Sequence, residues 1–295
     1  MSDLTERILS AVLLITVSLT ALFARQEAFS LLVCAYAWLV LKEFYGITRR
    51  DQTDRNPSEM IGYTGLIFLF LIASGQAGKL HPLLHSKSDA VLWVVIGVLV
   101  VALSAEFFYR VHEPIRNTGA TLMGMAYTGL FGFVVMLNNL PGREIVALIP
   151  WPLANGNLRV LHLLLIVWAS DLFAYFIGRR ACGRNKLCET LSPKKTWEGS
   201  MGGLTGAIIA SGAFGSWFGF GLVQSIAIGV VVGIAAQLGD LAASAIKREF
   251  GVKDSGDVSK YTKKLFAGHG GALDRLDSVI MAAPVYYLLA IIIFR

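Results

Sequence analysis

The sequence predicts an all-α fold: a polytopic integral membrane helix bundle of about nine transmembrane helices with a cytoplasmic N-terminus. Of its 295 residues, 55% are apolar and only 16% are charged, whereas a soluble domain carries about 25% charged residues. The apolar residues form long blocks, and no tract alternates between apolar and polar residues as a membrane barrel strand does. This composition excludes a disordered, collagen-like or disulfide-stapled chain and disfavours a soluble enzyme.

Nine apolar blocks approach the length of about 20 residues that a helix needs to span a bilayer. The first could be a signal peptide, but Asp3 and Glu6 are inconsistent with a basic leading segment and no A-x-A cleavage site follows, which favours a retained helix. The second is the weakest, because Lys42 and Glu43 interrupt its apolar run. The blocks cover residues 8–23, 28–47, 61–77, 90–108, 119–137, 160–177, 201–220, 222–245 and 279–294.

The Lys and Arg residues fall unequally on the two sides of these spans. The side that carries the N-terminus has 20 of the 26, and the other side has 6. Cytoplasmic loops carry such an excess, so we expect a multi-pass protein of the cell (inner) membrane with polar loops 178–200 and 247–278 in the cytoplasm. The net charge of +6 then reflects topology, and no nucleic-acid partner is expected. Residues 1–150 form an N-terminal region of about five spans, and residues 151–295 carry nearly all the chemical signals.

The stretch 237–278 mixes acidic and basic residues. A helix that begins near Ala272 would place Asp274 and Asp277 on one face. Neighbouring carboxylates repel unless a cation lies between them, and Mg²⁺ takes one or two carboxylates together with phosphate oxygens. The pattern suits metal-assisted phosphoryl or nucleotidyl transfer; the alternative is a solvated loop with salt bridges at its helix ends. The charged residues are Asp240, Asp254, Asp274 and Asp277, with Lys247, Arg248, Lys253 and Arg275.

A glycine-rich turn, Gly-His-Gly-Gly at 268–271, precedes the last apolar block. Its backbone N–H groups are expected to be free to meet a phosphate. His269 could orient a phosphate or polarise a leaving group, although a loop histidine is more often structural.

A second polar cluster lies between residues 168 and 199. Asp171 falls inside the sixth block, where a carboxylate is costly unless it is paired or metal-bound, so it is either functional or the partner of a basic residue on another helix. The segment Ser-Pro-Lys-Lys-Thr at 192–196 offers two ammonium groups and two hydroxyls in a proline-fixed turn. It predicts a triphosphate-binding turn; the alternative is a basic patch that holds anionic lipid headgroups.

These residues, in this order, resemble a known family. The C-terminal signature of the CDP-diacylglycerol synthases (phosphatidate cytidylyltransferases) is matched by Ser244, Lys247, Arg248, Lys253 and Asp254, followed by His269, Gly270, Gly271, Asp274, Arg275 and Asp277. The tract 192–199 and Asp171 resemble a second conserved region of that family. The detailed likeness covers residues 168–284. One segment departs: the link 255–267 is longer than the family's, adds Lys260, Lys263 and Lys264, and has Ala267 where proline is expected.

The resemblance implies transfer of the cytidylyl group of CTP to phosphatidate, giving CDP-diacylglycerol and pyrophosphate. It implies Mg²⁺ held by Asp240, Asp274 and Asp277, with Asp171 nearby, where it could serve a second cation such as K⁺. Lys247, Arg275 and His269 would act in catalysis beside these carboxylates. It further implies a homodimer and contact with membrane lipids. The positions expected to bind CTP or lipid phosphate are Ser192, Lys194, Lys195, Thr196, Ser244, Arg248, Lys253, Asp254, Gly270 and Gly271.

Other functions remain open at this level. A related enzyme could act on an isoprenoid lipid, as a cytidylyltransferase or as a CTP-dependent kinase, and product analysis would separate these. An anion transporter would use Asp171 and Asp240 for coupling ions, but transporters commonly show paired halves with broken helices, whereas the polar residues here are confined to one half. The extended link also leaves open a catalytically inactive scaffold.

Overall fold

The computed structural model describes residues 3–49, 57–75, 87–109, 114–140, 155–180, 185–258, 262 and 270–294. Helices account for most of this part of the chain, with one short β-hairpin. The helices are α1 (Asp3–Phe23), α2 (Gln26–Thr48), α3 (Glu59–Ala73), α4 (Lys87–Tyr109), α5 (Pro114–Gly129), α6 (Gly132–Asn138), α7 (Asn155–Arg180), α8 (Trp197–Phe214), α9 (Leu222–Glu249) and α10 (Leu273–Phe294). Short 3₁₀ helices follow α8 at Gly215–Phe218 and α9 at Ser255–Val258.

Five helical stretches of the described residues are long and apolar enough to cross a membrane. They are Gln26–Thr48, Pro114–Asn138, Gly156–Arg180, Leu222–Glu249 and Leu273–Ile293. Three more apolar helices, at Val12–Phe23, Glu59–Ala73 and Trp93–Ala105, are shorter. The prediction of an all-α, multi-pass membrane protein is confirmed, whereas the number of nine spans is not. The predicted block 201–220 differs most, because α8 ends at Phe214 and a 3₁₀ turn follows.

The sequence pattern predicts no strands, whereas the structure has an antiparallel hairpin formed by β1 (Lys186–Cys188) and β2 (Ser192–Thr196). Lys186 pairs with Thr196 and Cys188 with Ser192. Strands this short leave no alternating pattern to detect. Pro193 is tolerated because a two-stranded hairpin has only edge strands. The segment Ser192–Thr196, predicted as a proline-fixed turn that binds phosphate, is therefore strand β2 of this hairpin.

The chain divides into two compact units, each described by itself. The first unit comprises Met1–Val135 and Lys247–Leu276, and the second comprises Met136–Ile246 and Asp277–Arg295. The segment Lys247–Leu276 belongs to the first unit together with the N-terminal helices.

Helix α2 forms the centre of the first unit. Its buried side chains recur at helical spacing and include Ala37, Leu41 and Tyr45, each of them 0% exposed. The Tyr45 ring lies where a Cβ at Gly62 or Gly124 would overlap it, so two glycines let α3 and α5 approach α2. The Tyr45 hydroxyl donates to the Thr121 carbonyl at 2.9 Å.

Glycines also set the helix packing of the second unit. Along α8, Gly199, Gly202, Gly203 and Gly206 face α7, and a Cβ on any of them would lie within about 3.1 Å of α7 atoms. Such small residues let helix backbones approach closely in a membrane. This close packing fixes the first turn of α8, and with it the end of the hairpin, against α7.

Candidate active site

The hairpin places the predicted lysines at the second unit's polar surface. Lys194 is exposed, and the Lys195 ammonium lies 2.6 Å from the Asp240 carboxylate of α9. The two side chains keep 26% and 38% of their exposure. An ion pair this exposed contributes only about 0–1 kcal/mol, so either partner can leave it at little cost. A polyphosphate and a divalent cation carry the charges needed to replace them.

Thr196 and Ser192, predicted to bind phosphate, have different surroundings. Ser192 is partly exposed at the start of β2. Thr196 is 2% exposed, and its hydroxyl accepts the Gly199 N–H at 3.1 Å. Thr196 is therefore the N-cap of α8, a structural role that the sequence pattern did not separate from phosphate binding.

Cys188 lies on β1 of the same hairpin. The hydrogen bond with the Thr190 hydroxyl, at 3.6 Å, is the main cause that lowers the pKa of the Cys188 thiol. A lower pKa raises the thiolate fraction at neutral pH and hence the reactivity of this partly exposed thiol.

Two of the predicted acidic residues lie on the backbone where α9 and α10 cross. A Cβ at Gly239 would overlap the Asp277 carbonyl and lie 3.0 Å from the Met281 Cβ, so glycine is required there. Asp240 follows Gly239, and Asp277 is the α10 residue at the crossing. Asp277 is 7% exposed, and its Oδ1 accepts the Ser278 N–H at 2.7 Å.

The described residues contain no group of three or more His, Cys, Asp or Glu side chains that could hold a metal ion. The role of Asp171, Asp240, Asp274 and Asp277 as metal ligands stays a prediction. Mg²⁺ is usually bound by one or two carboxylates plus phosphates and water. The crossing that carries Asp240 and Asp277 fits that donor set.

Asp274, in the first turn of α10, has a full set of partners. The Lys247 ammonium pairs with its Oδ1. Its Oδ2 accepts the Ser255 N–H at 2.8 Å, the Ser255 hydroxyl at 2.9 Å and the Gly271 N–H at 3.2 Å. These four donors occupy about all the lone-pair positions of a carboxylate. The contacts therefore favour a positioning role for Asp274 over the metal-ligand role predicted from the sequence.

The turn before α10 also differs from the prediction of free N–H groups. Gly270 has φ +80, a left-handed conformation that favours glycine. A Cβ at Gly271 would overlap the Glu43 carboxylate and the Ser255 hydroxyl. The Gly271 N–H donates to Asp274, so the described contacts give Gly271 a role in the packing of the turn, and phosphate binding by Gly270 and Gly271 stays a prediction.

Glu43 is the residue that the sequence analysis missed. It lies in α2, is 0% exposed, and accepts the N–H groups of Ala272 and Leu273 at 2.9 and 2.8 Å. It also accepts the Ser255 hydroxyl at 2.8 Å. The sequence did contain a signal for this residue. Burying a carboxylate inside an apolar span costs free energy unless the carboxylate has a partner.

The remaining predicted residues differ in exposure and in the contacts that they make. Ser244 is buried in α9, and the Arg248 guanidinium donates to the Val252 carbonyl at 2.8 Å. Asp171 is exposed on α7, and His269 lies outside the described residues. Lys253, Asp254 and Arg275 are exposed.

The fold and these clusters define a class: a multi-pass helical membrane protein that arranges lysine–carboxylate pairs beside its polar loops. The chain belongs to the Cytidylyltransferase family, whose model matches residues 5–293. This confirms the family that the signature residues resemble.

Two relatives match over nearly the whole chain, and a third matches over less than half of it. A protein of Brucella melitensis named phosphatidate cytidylyltransferase is 30% identical over 292 residues, covering 98% of this chain and 93% of its own. One of the same name from Haemophilus influenzae is 33% identical over 298 residues, covering 96% and 97%. The uncharacterized protein YnbB of Escherichia coli is 43% identical over 134 residues, covering 45% of this chain and 42% of its own.

Proposed function

We propose that this protein transfers the cytidylyl group of CTP to phosphatidate, producing CDP-diacylglycerol and pyrophosphate. Family membership over residues 5–293 and the names of the full-length relatives support this reaction. The observation in the structure that carries it is the exposed Lys195–Asp240 pair beside the α9–α10 crossing. Such a pair can open to a phosphate at the lysine and to a cation at the carboxylate.

The reaction joins two anions. A phosphatidate oxygen attacks the α-phosphorus of CTP, the bond to the bridging oxygen of the β-phosphate breaks, and pyrophosphate leaves with that electron pair. We propose that Lys195, with Lys194, binds the phosphates of CTP and lowers the repulsion between the substrates. Lys247, which Asp274 holds, would bind the phosphate of the lipid.

Asp240 and Asp277 would hold Mg²⁺ together with phosphate oxygens of CTP. When bound, the ion supplies charge neutralisation at the reacting phosphates. Asp240 would leave Lys195 to bind it, so both residues change partners at once. A second cation at Asp171, a homodimer and nine spans remain predictions.

The test of the reaction uses purified protein, phosphatidate and Mg²⁺ with CTP labelled in turn at the α- and γ-phosphorus. Label from the α position should enter lipid, and label from the γ position should leave as pyrophosphate, in equal amounts. Transfer of the γ label to lipid would instead identify a kinase. The absence of labelled lipid with either phosphatidate or isoprenoid phosphates would overturn the proposal of an enzyme.

We also propose that the hairpin and the loop 247–278 face the cytoplasm, where CTP is present; the bias of Lys and Arg supports this orientation. Cys188, with its lowered pKa, provides the test. In a variant that carries Cys34→Ser and Cys182→Ser, a membrane-impermeant maleimide should label inside-out vesicles rapidly and right-side-out vesicles only after permeabilisation. Labelling of intact right-side-out vesicles would reverse the orientation.

A further inference from the structure

Glu43 is a charged side chain without access to water on a helix of membrane-spanning length. It is 0% exposed within the stretch Gln26–Thr48. An uncompensated charge there would cost several kcal/mol, and Glu43 avoids that cost with three hydrogen bonds. Its Oε1 accepts from Ala272, and its Oε2 accepts from Leu273 and from the Ser255 hydroxyl.

Two of these donors are backbone groups at the start of α10. The Ala272 carbonyl accepts the N–H groups of Arg275 and Leu276 at 3.2 and 3.1 Å, so Ala272 is the N-cap and Leu273 the first helical residue. Their N–H groups have no partner inside the helix, and the helix dipole favours a negative charge beside them. Glu43 thus caps α10 from a position 229 residues away in sequence from Ala272.

Ser255 links Glu43 to Asp274. Its Oγ lies 2.8 Å from Glu43 Oε2 and 2.9 Å from Asp274 Oδ2, and it is 0% exposed. The single hydroxyl hydrogen is shared between two carboxylates, so its geometry depends on both. Asp274 in turn pairs with Lys247. A continuous series of contacts therefore runs from Glu43 through Ser255 and Asp274 to the Lys247 ammonium.

We propose that Glu43 is a positioning residue for the reaction. Its carboxylate fixes the turn before α10 and the Ser255 hydroxyl, which hold Asp274, which orients Lys247 toward the lipid phosphate. Glu43 itself touches no substrate. This inference rests on the proposed function for the identity of the group that Lys247 binds. The contacts of Glu43 do not depend on that function.

The first experiment replaces the carboxylate by its isosteric amide, Glu43→Gln. Both Glu43 oxygens accept hydrogen bonds, so either orientation of the amide sets an NH₂ group against a donor. We expect kcat to fall about 10- to 100-fold, as for other residues that orient a functional group, while KM for CTP changes less than about 3-fold. Glu43→Asp, which keeps the charge, should recover part of kcat. Glu59→Gln, which removes a charge from α3, is the matched control and should leave both constants unchanged.

The second experiment tests the link from Glu43 through Ser255 to Asp274. It also provides a test if the Glu43→Gln variant folds poorly. Ser255→Ala should also lower kcat, and the double variant should lose little more than the worse single variant, because both act through one turn. Losses that multiply in the double variant would overturn the proposal. Unchanged kcat in both single variants would overturn it as well.

Hydrogen exchange gives a readout that needs no activity. The amides of residues 271–273 should exchange at least about 10-fold faster in Glu43→Gln than in Glu59→Gln, because a lost hydrogen bond of about 1.4 kcal/mol corresponds to that factor. If wild-type protein fails to label phosphatidate, the proposed reaction is wrong, and this exchange decides the role of Glu43 by itself. Equal exchange in the two variants would overturn the inference.

Discussion

Two lysine–carboxylate pairs in the described part of the chain differ in how many hydrogen-bond donors the carboxylate has. The Asp274 side chain is 13% exposed and has four donors, of which Lys247 is one. The Asp240 side chain is 38% exposed, and Lys195 is its partner in the described part of the chain. A buried, fully bonded carboxylate is costly to disturb, whereas an exposed pair exchanges partners cheaply. For these two carboxylates, the comparison favours a positioning role for Asp274 and the proposed substrate- and metal-binding role for Asp240.

The largest expected effect is on the exchangeable carboxylate. Asp240→Asn should lower kcat roughly 10³-fold or more, because metal neutralisation of reacting phosphates is worth several kcal/mol. Folding should be unaffected, since the side chain is exposed. Steady-state pyrophosphate release measures the loss, and Glu249→Gln at the exposed end of the same helix is the control. Near-normal turnover in Asp240→Asn would remove this carboxylate from the site.

The next largest effect is expected from disturbing the packing around the fully hydrogen-bonded carboxylates, Glu43 and Asp274. Gly271→Ala places a Cβ against Glu43 and Ser255 and should lower kcat about 10- to 100-fold by displacing the turn. Gly119→Ala, where a Cβ would meet open space, is the control. Adding Glu43→Asp to Gly271→Ala shortens the acid and should restore part of the activity. A double variant that is worse than Gly271→Ala would contradict this account of the turn.

A smaller effect separates the two lysines of the hairpin. Lys195→Ala should raise KM for CTP about 10-fold, since a charge-assisted hydrogen bond is worth about 1.5–3 kcal/mol, and Lys194→Ala should raise it less. The comparison is made at saturating phosphatidate with CTP varied. The opposite order would show that the pairing of Lys195 with Asp240 is structural.

The smallest effect concerns stability. Thr196→Ala removes the N-cap of α8 and should cost about 1 kcal/mol of unfolding free energy, with KM for CTP changed less than about 2-fold. Thermal unfolding in detergent measures the loss, and Thr205→Ala on the exposed face of α8 is the control. A large rise in KM with normal stability would restore the phosphate-binding role predicted from the sequence.

Hydropathy predicted the helical membrane fold because apolar length is a local property. Hydropathy placed the end of block 201–220 too late, since composition does not reveal that α8 ends at Phe214. It also missed the hairpin, whose register depends on the pairing of residues 186 and 196 across a turn.

The prediction of the site was limited because contacts between distant residues are not a local property of the sequence. The order of the signature residues predicts a set of functional side chains, but it does not predict the hydrogen bonds that each side chain makes. Asp274 and Asp277 look alike in sequence, and only the contacts show that Asp274 is fully bonded to Ser255, Gly271 and Lys247. Glu43 was noted only as an interruption in a span, because its donors lie more than 200 positions away in the chain.

The proposed difference between Asp240, which can exchange its partner, and Asp274, which is fully hydrogen-bonded, is tested most directly by metal binding. Mn²⁺, a spectroscopic substitute for Mg²⁺, can be titrated into purified protein and followed by electron paramagnetic resonance. We expect Asp240→Asn to weaken Mn²⁺ binding at least about 10-fold and Asp274→Asn to leave it within about 3-fold of wild type while kcat falls. Loss of Mn²⁺ binding in Asp274→Asn, with normal binding in Asp240→Asn, would contradict the account.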